Sequence, residues 1–206
     1  MRGGGSFTRV HHQTIDAYDA DAQHWLTTRY DPSQPPLPAA LRFRELVGEG
    51  LILDLGCGPG QLLADLAEPS IGLDASAGML ALAKELGLLL LLQADVEALP
   101  VKAGGAAGAF AHFSMQHLPR AGFRAAIREV RRALRPGGHL EVTMQSADGR
   151  FSDQGDGVRV GDDLPIGRWF SYWEVGDVVG VLEDERLVMV TVEDLGFANR
   201  FLASRP

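Results

Sequence analysis

Leu51-Ile52-Leu53-Asp54-Leu55-Gly56-Cys57-Gly58-Pro59-Gly60 is the stretch whose reading decides the fold. A nearly continuous aliphatic run suits a strand buried on both faces, and Gln61 to Leu66 beyond it has helical spacing. The stretch therefore reads as strand, tight loop and helix. In an open α/β sheet such a loop lies at the carboxyl end of a strand, where ligands bind. Glycine there lets main-chain amides approach a bound molecule with no Cβ in the way. The expectation is a ligand in contact with main chain at this loop.

Dinucleotide enzymes use a similar loop, G-x-G-x-x-G, whose last glycine allows close helix–strand packing around a pyrophosphate. Here the third glycine, Gly60, comes one residue early, and Asp54 stands two residues before Gly56. That combination resembles the first motif of the class I S-adenosylmethionine-dependent methyltransferases.

A chain of 206 residues with 46% hydrophobic and 22% charged content fits one soluble α/β domain. The net charge of −8 repels phosphate backbones and anionic headgroups, so a nucleic-acid or membrane partner is not expected. A single cysteine, Cys57, excludes an internal disulfide and offers no redox pair. With no apolar leader and no aliphatic run of membrane-spanning length, the expected location is cytoplasmic. His11-His12 reads as a solvated pair.

Residues 1–13 are expected to be a mobile N-terminal segment, and 14–206 a single domain whose first part, 14–47, is helical. Ile15, Tyr18, Ala22 and Trp25 recur at helical steps from Thr14 onward. This aromatic stripe is either ordinary core packing or the inner face of a lid. Asp31-Pro32-Ser33-Gln34-Pro35-Pro36-Leu37-Pro38 must be extended, and Leu41 to Val47 reads as a short helix.

Ser70-Ile71-Gly72-Leu73-Asp74 reads as a second buried strand ending in an acid. Asp74 stands near the ~20-residue offset at which nucleotide-binding α/β folds place a carboxylate on ribose hydroxyls, and a carboxylate can accept from both hydroxyls of a diol. Ser76 can cap the next helix. Leu88 to Leu92 is expected as a third strand, too aliphatic for an exposed edge. Gly104 to Gly108 reads as a turn and Ala109 to Ser114 as a fourth strand. Arg124 to Leu134 reads as a helix, followed by a strand over Leu140 to Met144. Ser146 to Pro165 is poor in apolar residues and is expected as a long flexible connection. Glu174 to Leu182 should form a last helix, with Leu187 to Val192 and Ala198 to Ala203 as a closing hairpin.

Three further segments carry the methyltransferase resemblance: Tyr18-Asp19-Ala20-Asp21-Ala22-Gln23-His24-Trp25, Asp95-Val96-Glu97-Ala98-Leu99-Pro100 and Leu134-Arg135-Pro136-Gly137-Gly138. It implies a Rossmann-like, doubly wound α/β sheet of seven strands, mostly parallel, with a C-terminal antiparallel hairpin. It also implies S-adenosylmethionine as cofactor and direct in-line methyl transfer to a small-molecule acceptor. The cofactor site would use Tyr18, Asp54, Gly56, Gly58, Gly60, Asp74, Ala75, Met79, Asp95, Val96, Phe113 and Ser114. Trp25, Arg29 and Trp169 would border the substrate. His117, just past the fourth strand, is the candidate base, since imidazole titrates near neutrality; it could instead orient the loop or bind substrate. No metal is expected, because His112 and His117 are wrongly spaced for one helix face and lack an acid cluster. The residues between Gly176 and Val188 depart from the family by lacking its Ala-Gly-Phe turn. Three rivals stand beside this reading: an NAD-dependent oxidoreductase, a cofactor-binding protein without catalysis, and a tRNA-modifying methyltransferase, which Thr28-Arg29-Tyr30 also resembles.

Overall fold

The computed structural model describes residues 7–29, 31, 33–88, 90–146, 156–161 and 164–206. Helix α1 (Phe7–Arg29) and helix α2 (Pro38–Val47) precede strand β1 (Ile52–Leu55). Then follow α3 (Leu63–Leu66), β2 (Ser70–Asp74), α4 (Ala77–Glu85), β3 (Leu91–Gln93) and β4 (Ala106–His112). A single 3-10 turn, Met115–His117, leads to α5 (Arg120–Ala133) and β5 (Leu134–Gln145). The remainder is β6 (Gly157–Gly161), β7 (Leu164–Phe170), α6 (Val175–Asp184), β8 (Val188–Asp194) and β9 (Ala198–Ser204).

Seven strands form one sheet in the order β3-β2-β1-β4-β5-β9-β8. The first five run parallel, and β9 inserts antiparallel between β5 and β8. The expected doubly wound sheet with its terminal hairpin is present, so the missing Ala-Gly-Phe turn does not alter the sheet edge. All four residues of β1 are buried at its centre. The small residues of β4 let helix α2 sit directly on the sheet, since a Cβ on Gly108 would lie 2.8 Å from Val47 Cγ2 and 3.0 Å from Phe43 Cε1. On the other face, Phe123, Ile127 and Val130 of α5 join Leu53, Leu140 and Val142 in the main core.

Several expectations are corrected. Helix α1 already begins at Phe7, because its first half packs on β7: the Trp169 amide donates to Thr14 Oγ1 at 3.0 Å. Residues 1–6 lie outside the described residues. Strand β3 is an edge strand, with its Leu92 40% exposed and Leu90, just before it, 51% exposed. The leucine run is aliphatic because Leu88 and Leu91 pack against Gly60 and Gly72, not because the strand is enclosed. The turn over Gly104 to Gly108 gives way to strand from Ala106, its small residues being a helix seat. The segment taken as a flexible connection contains β6, which pairs with β7 as a hairpin; the alternation of Val158 and Val160 is its only sequence signal. Residues 147–155 lie outside the described residues.

Candidate functional site

A cavity of about 1220 Å³ opens at the carboxyl ends of β1, β2 and β4 beneath α1. Asp54, Gly56, Gly58, Gly60, Asp74, Ala75, Met79, Val96, Phe113, Ser114, Tyr18, Trp25 and His117 all line it. Thus most residues proposed from sequence do converge. Asp95 and Trp169 are not part of the wall; Ala94 and Val96, and Arg168 and Phe170, take their places. Asp95 Oδ1 accepts from the Glu97 amide at 2.8 Å, holding the turn after β3. The Arg29 side chain lies outside the described residues.

The glycine loop is shaped by conformations that side-chain-bearing residues avoid: Gly56, Gly58 and Gly60 have φ of 72°, 55° and 81°. A Cβ on Gly56 would fall 2.3 Å from Ser114 Cβ, so glycine lets the loop touch the β4 end, where Ser114 Oγ donates to the Leu55 carbonyl at 2.6 Å. A Cβ on Gly58 would meet nothing within 4 Å. The loop amides, expected to face a ligand, are engaged within the protein. Gly56 and Cys57 donate to the Leu73 carbonyl, Gly60 to the Cys57 carbonyl, and Gly58 to Asp74 Oδ2 at 2.8 Å.

What the strand tips offer instead is acceptors. Asp74 receives the Ser76 amide on its other oxygen at 2.8 Å, and the Ala75 amide also engages the carboxylate, which leaves its acceptor capacity only partly used. Asp54 is buried, and its Oδ2 has no hydrogen-bond partner among the described residues. Burial, reinforced by the charge of Asp74, raises the Asp54 carboxyl to about 7; burial also raises Asp74, opposed by its bonds to the Ser76 and Gly58 amides. A ligand bearing an ammonium and a diol answers both acids. A pyrophosphate, which needs donors, finds the amides already committed. Met79 and Val96 supply apolar surface for a flat ring. The burial of Cys57 pushes its thiol well above the ordinary value, which fits a packing role.

Helix α1 is fastened over the cavity by polar contacts that the sequence did not disclose. Asp19 Oδ1 accepts from Ser76 Oγ at 2.6 Å and from the Gly78 amide at 2.8 Å, at the start of α4. Asp21 pairs with Arg168, and both are buried. The Arg168 guanidinium also lies 4.2 Å from the centroid of the Tyr18 ring. A signal existed for both: acids flank the aromatic stripe, and Arg168 is the lone charge in Arg168-Trp169-Phe170-Ser171-Tyr172-Trp173.

His117 sits between these parts. Its Nδ1 is 2.7 Å from the Trp169 carbonyl oxygen, which can only accept, so the ring proton is on Nδ1. Nε2 then accepts the Tyr18 hydroxyl at 2.8 Å. Trp169 therefore serves His117 through its main chain, while its indole donates to Ser171 Oγ at 3.0 Å.

Residues 52–138 match the family model for a methyltransferase domain. An uncharacterized methyltransferase of Emericella nidulans is 32% identical over 158 residues, covering 64% of this chain. A tRNA (carboxymethyluridine(34)-5-O)-methyltransferase of Arabidopsis thaliana is 32% identical over 136 residues, also 64% of this chain. The chain spans 54% and 32% of the length of these two relatives. Among solved structures, the 1,6-didemethyltoxoflavin-N1-methyltransferase of Burkholderia thailandensis superposes with a TM-score of 0.75 at 14% identity, covering 100% of this chain and 92% of that one. In its sheet order, in the acids at its strand tips and in the domain matched over residues 52–138, the chain is similar to the class I S-adenosylmethionine-dependent methyltransferases.

Proposed function

We propose that the protein transfers the methyl group of S-adenosylmethionine to a small organic acceptor by direct displacement. The observation that carries this reading is the acceptor-rich cradle: two acids at neighbouring strand tips, beside a loop whose amides are already committed. It suits a ligand that is cationic and rich in donors. When bound, S-adenosylmethionine supplies an electrophilic methyl on its sulfonium. Asp54 would hold the ammonium, Asp74 the ribose hydroxyls, and Met79 with Val96 the adenine. Helix α1 acts as a lid that excludes water, which would otherwise compete as nucleophile and weaken the electrostatics within. Holding donor and acceptor in line supplies about 7–11 kcal/mol of the barrier. Where the acceptor must lose a proton, the Tyr18 hydroxyl passes it to His117 Nε2 while the Trp169 carbonyl steadies the resulting imidazolium.

Calorimetry with S-adenosylhomocysteine and with NAD tests this reading. Binding of the first and not the second is expected, and it should be lost in Asp74→Ala. Binding of NAD alone would overturn it. A second reading, methylation of a tRNA nucleotide, is favoured by the Arabidopsis relative. The acidic chain argues against it, and retention of radiolabelled methyl on bulk tRNA would establish it. Among the described residues no helix is long and apolar enough to cross a membrane.

A further inference from the structure

A second wall of the cavity is formed by His112, Phe113, Gln145 and Phe197, and the proposed contacts of Asp54 and Asp74 leave it unassigned. It lies at the carboxyl ends of β4 and β5. His112 pairs across the sheet with Thr143, and Thr143 with Arg200; Gln145, two residues beyond Thr143, projects to the same face. His112 Nδ1, Thr143 Oγ1 and Gln145 Oε1 are all buried without a hydrogen-bond partner among the described residues. Buried polar atoms are almost always satisfied, so the two whose residues line the cavity, on His112 and Gln145, point to a molecule that completes them.

The charge of this wall is balanced. The Arg200 guanidinium lies 2.7 Å from Glu193 Oε2 and 3.4 Å from Glu141 Oε1. Burial, and then Arg200, pushes the His112 imidazole down to about 4, so it is neutral at physiological pH. Burial raises the Glu141 carboxyl to about 7 against the pull of Arg200. Nothing here attracts an anion strongly. The apolar part is flat: the Phe113 and Phe197 rings are stacked at 22° with centroids 6.1 Å apart, and His112 meets Phe113 edge-on at 4.5 Å. Phe197 is 64% exposed, leaving an aromatic face bare. Phe113 holds a φ of 54°, which bulky residues rarely adopt, and its amide is fixed to the Thr143 carbonyl at 2.9 Å. The cavity, at about 1220 Å³, exceeds the ~300–1,000 Å³ of a single-ligand pocket, so a second molecule has room beside the cofactor.

We infer that this wall is the acceptor subsite and takes an uncharged, planar aromatic or heteroaromatic molecule bearing a hydroxyl or ring N–H, stacked on Phe113 and Phe197 with its polar hydrogen on Gln145 or His112. The inference rests on the methyl-transfer reading and adds the chemical class of the acceptor. The Gln145 amide can present oxygen or, turned over, nitrogen, so the polar group of the ligand is recognised in either sense.

The test uses the full chain, first titrated with S-adenosylhomocysteine and then, saturated with it, with three fluorescent or absorbing probes at mildly acidic pH. These are umbelliferone, its methyl ether herniarin, and coumarin carboxylate. Umbelliferone should bind about tenfold tighter than either of the others, the value of one hydrogen bond in a dry site. Phe197→Ala, a change at an exposed side chain, should weaken umbelliferone about fivefold, and Gln145→Leu should abolish its advantage over herniarin. Both variants should keep the S-adenosylhomocysteine affinity of the parent. Equal affinity for the three probes, no binding of umbelliferone, or indifference to Phe197→Ala would overturn the subsite. If Gln145→Leu does not fold, the probe series and Phe197→Ala decide alone. Failure of the first titration, before any coumarin is added, would instead mark failure of the methyl-transfer reading.

Discussion

Protonating Asp54 should weaken cofactor binding, and the structure sets the size of the effect. The carboxyl is buried, burial and then Asp74 raise it to about 7, and its Oδ2 has no partner among the described residues. Only the ionised form answers an ammonium, so apparent affinity follows the ionised fraction. That fraction rises from about 0.03 at pH 5.5 to about 0.5 at pH 7, giving a gain of about sixteenfold. The window stays below the ~7.7–8.0 at which an α-amino group loses its own proton. Calorimetric titration of S-adenosylhomocysteine across this range measures the slope. In Asp54→Asn the slope should vanish and affinity fall by about tenfold to a hundredfold, the worth of a charged hydrogen bond. The same carboxyl makes an independent mark on the ligand-free protein. Its folded value exceeds the unfolded one, so stability is greatest below the ordinary carboxylate range and declines as pH rises toward 7. Asp54→Asn should therefore stabilise the free protein at pH 8, by at most about 4 kcal/mol, and little at pH 4. A flat binding profile in the parent, or an undiminished slope in the variant, would refute the reasoning.

Gly56→Ala should cost about 3 kcal/mol in urea unfolding, because it combines positive φ with a Cβ 2.3 Å from Ser114 Cβ, whereas Gly58→Ala should cost about 1 kcal/mol. Asp21→Ala leaves Arg168 buried without its carboxylate and should destabilise the fold by about 3–5 kcal/mol; Asp21→Ala combined with Arg168→Met should recover much of that in the same assay. Nitrogen-15 spectra of His117 should show the proton on Nδ1; finding it on Nε2 instead would remove the bond to the Trp169 carbonyl and reverse the one to Tyr18, so that the hydroxyl could no longer donate to the ring.

The strand tips were legible because they depend on local rules. An aliphatic run ending in acid and glycine fixes a buried strand and its turn, and Asp54 and Asp74 accordingly stand where their spacing put them. The lid fastenings were not legible, since they join Asp19 to Ser76 and Asp21 to Arg168 across the whole chain. Burial decides whether such acids are solvated or bound, and no window of neighbours encodes it. Strand β3 misled for a related reason: leucines that pack on Gly60 and Gly72 look, in sequence, like leucines enclosed on both sides. Strand β6 was missed because glycine and aspartate around Val158 and Val160 outweighed a two-residue alternation.

The clasp between Asp21 and Arg168 joins residues 147 positions apart. During synthesis, helix α1 leaves the ribosome well before β7 and must wait until the β7 hairpin has emerged before it can close this clasp. The nascent sheet is therefore roofless for most of its manufacture. Asp19, meeting Ser76 far sooner, gives that waiting helix an earlier mooring.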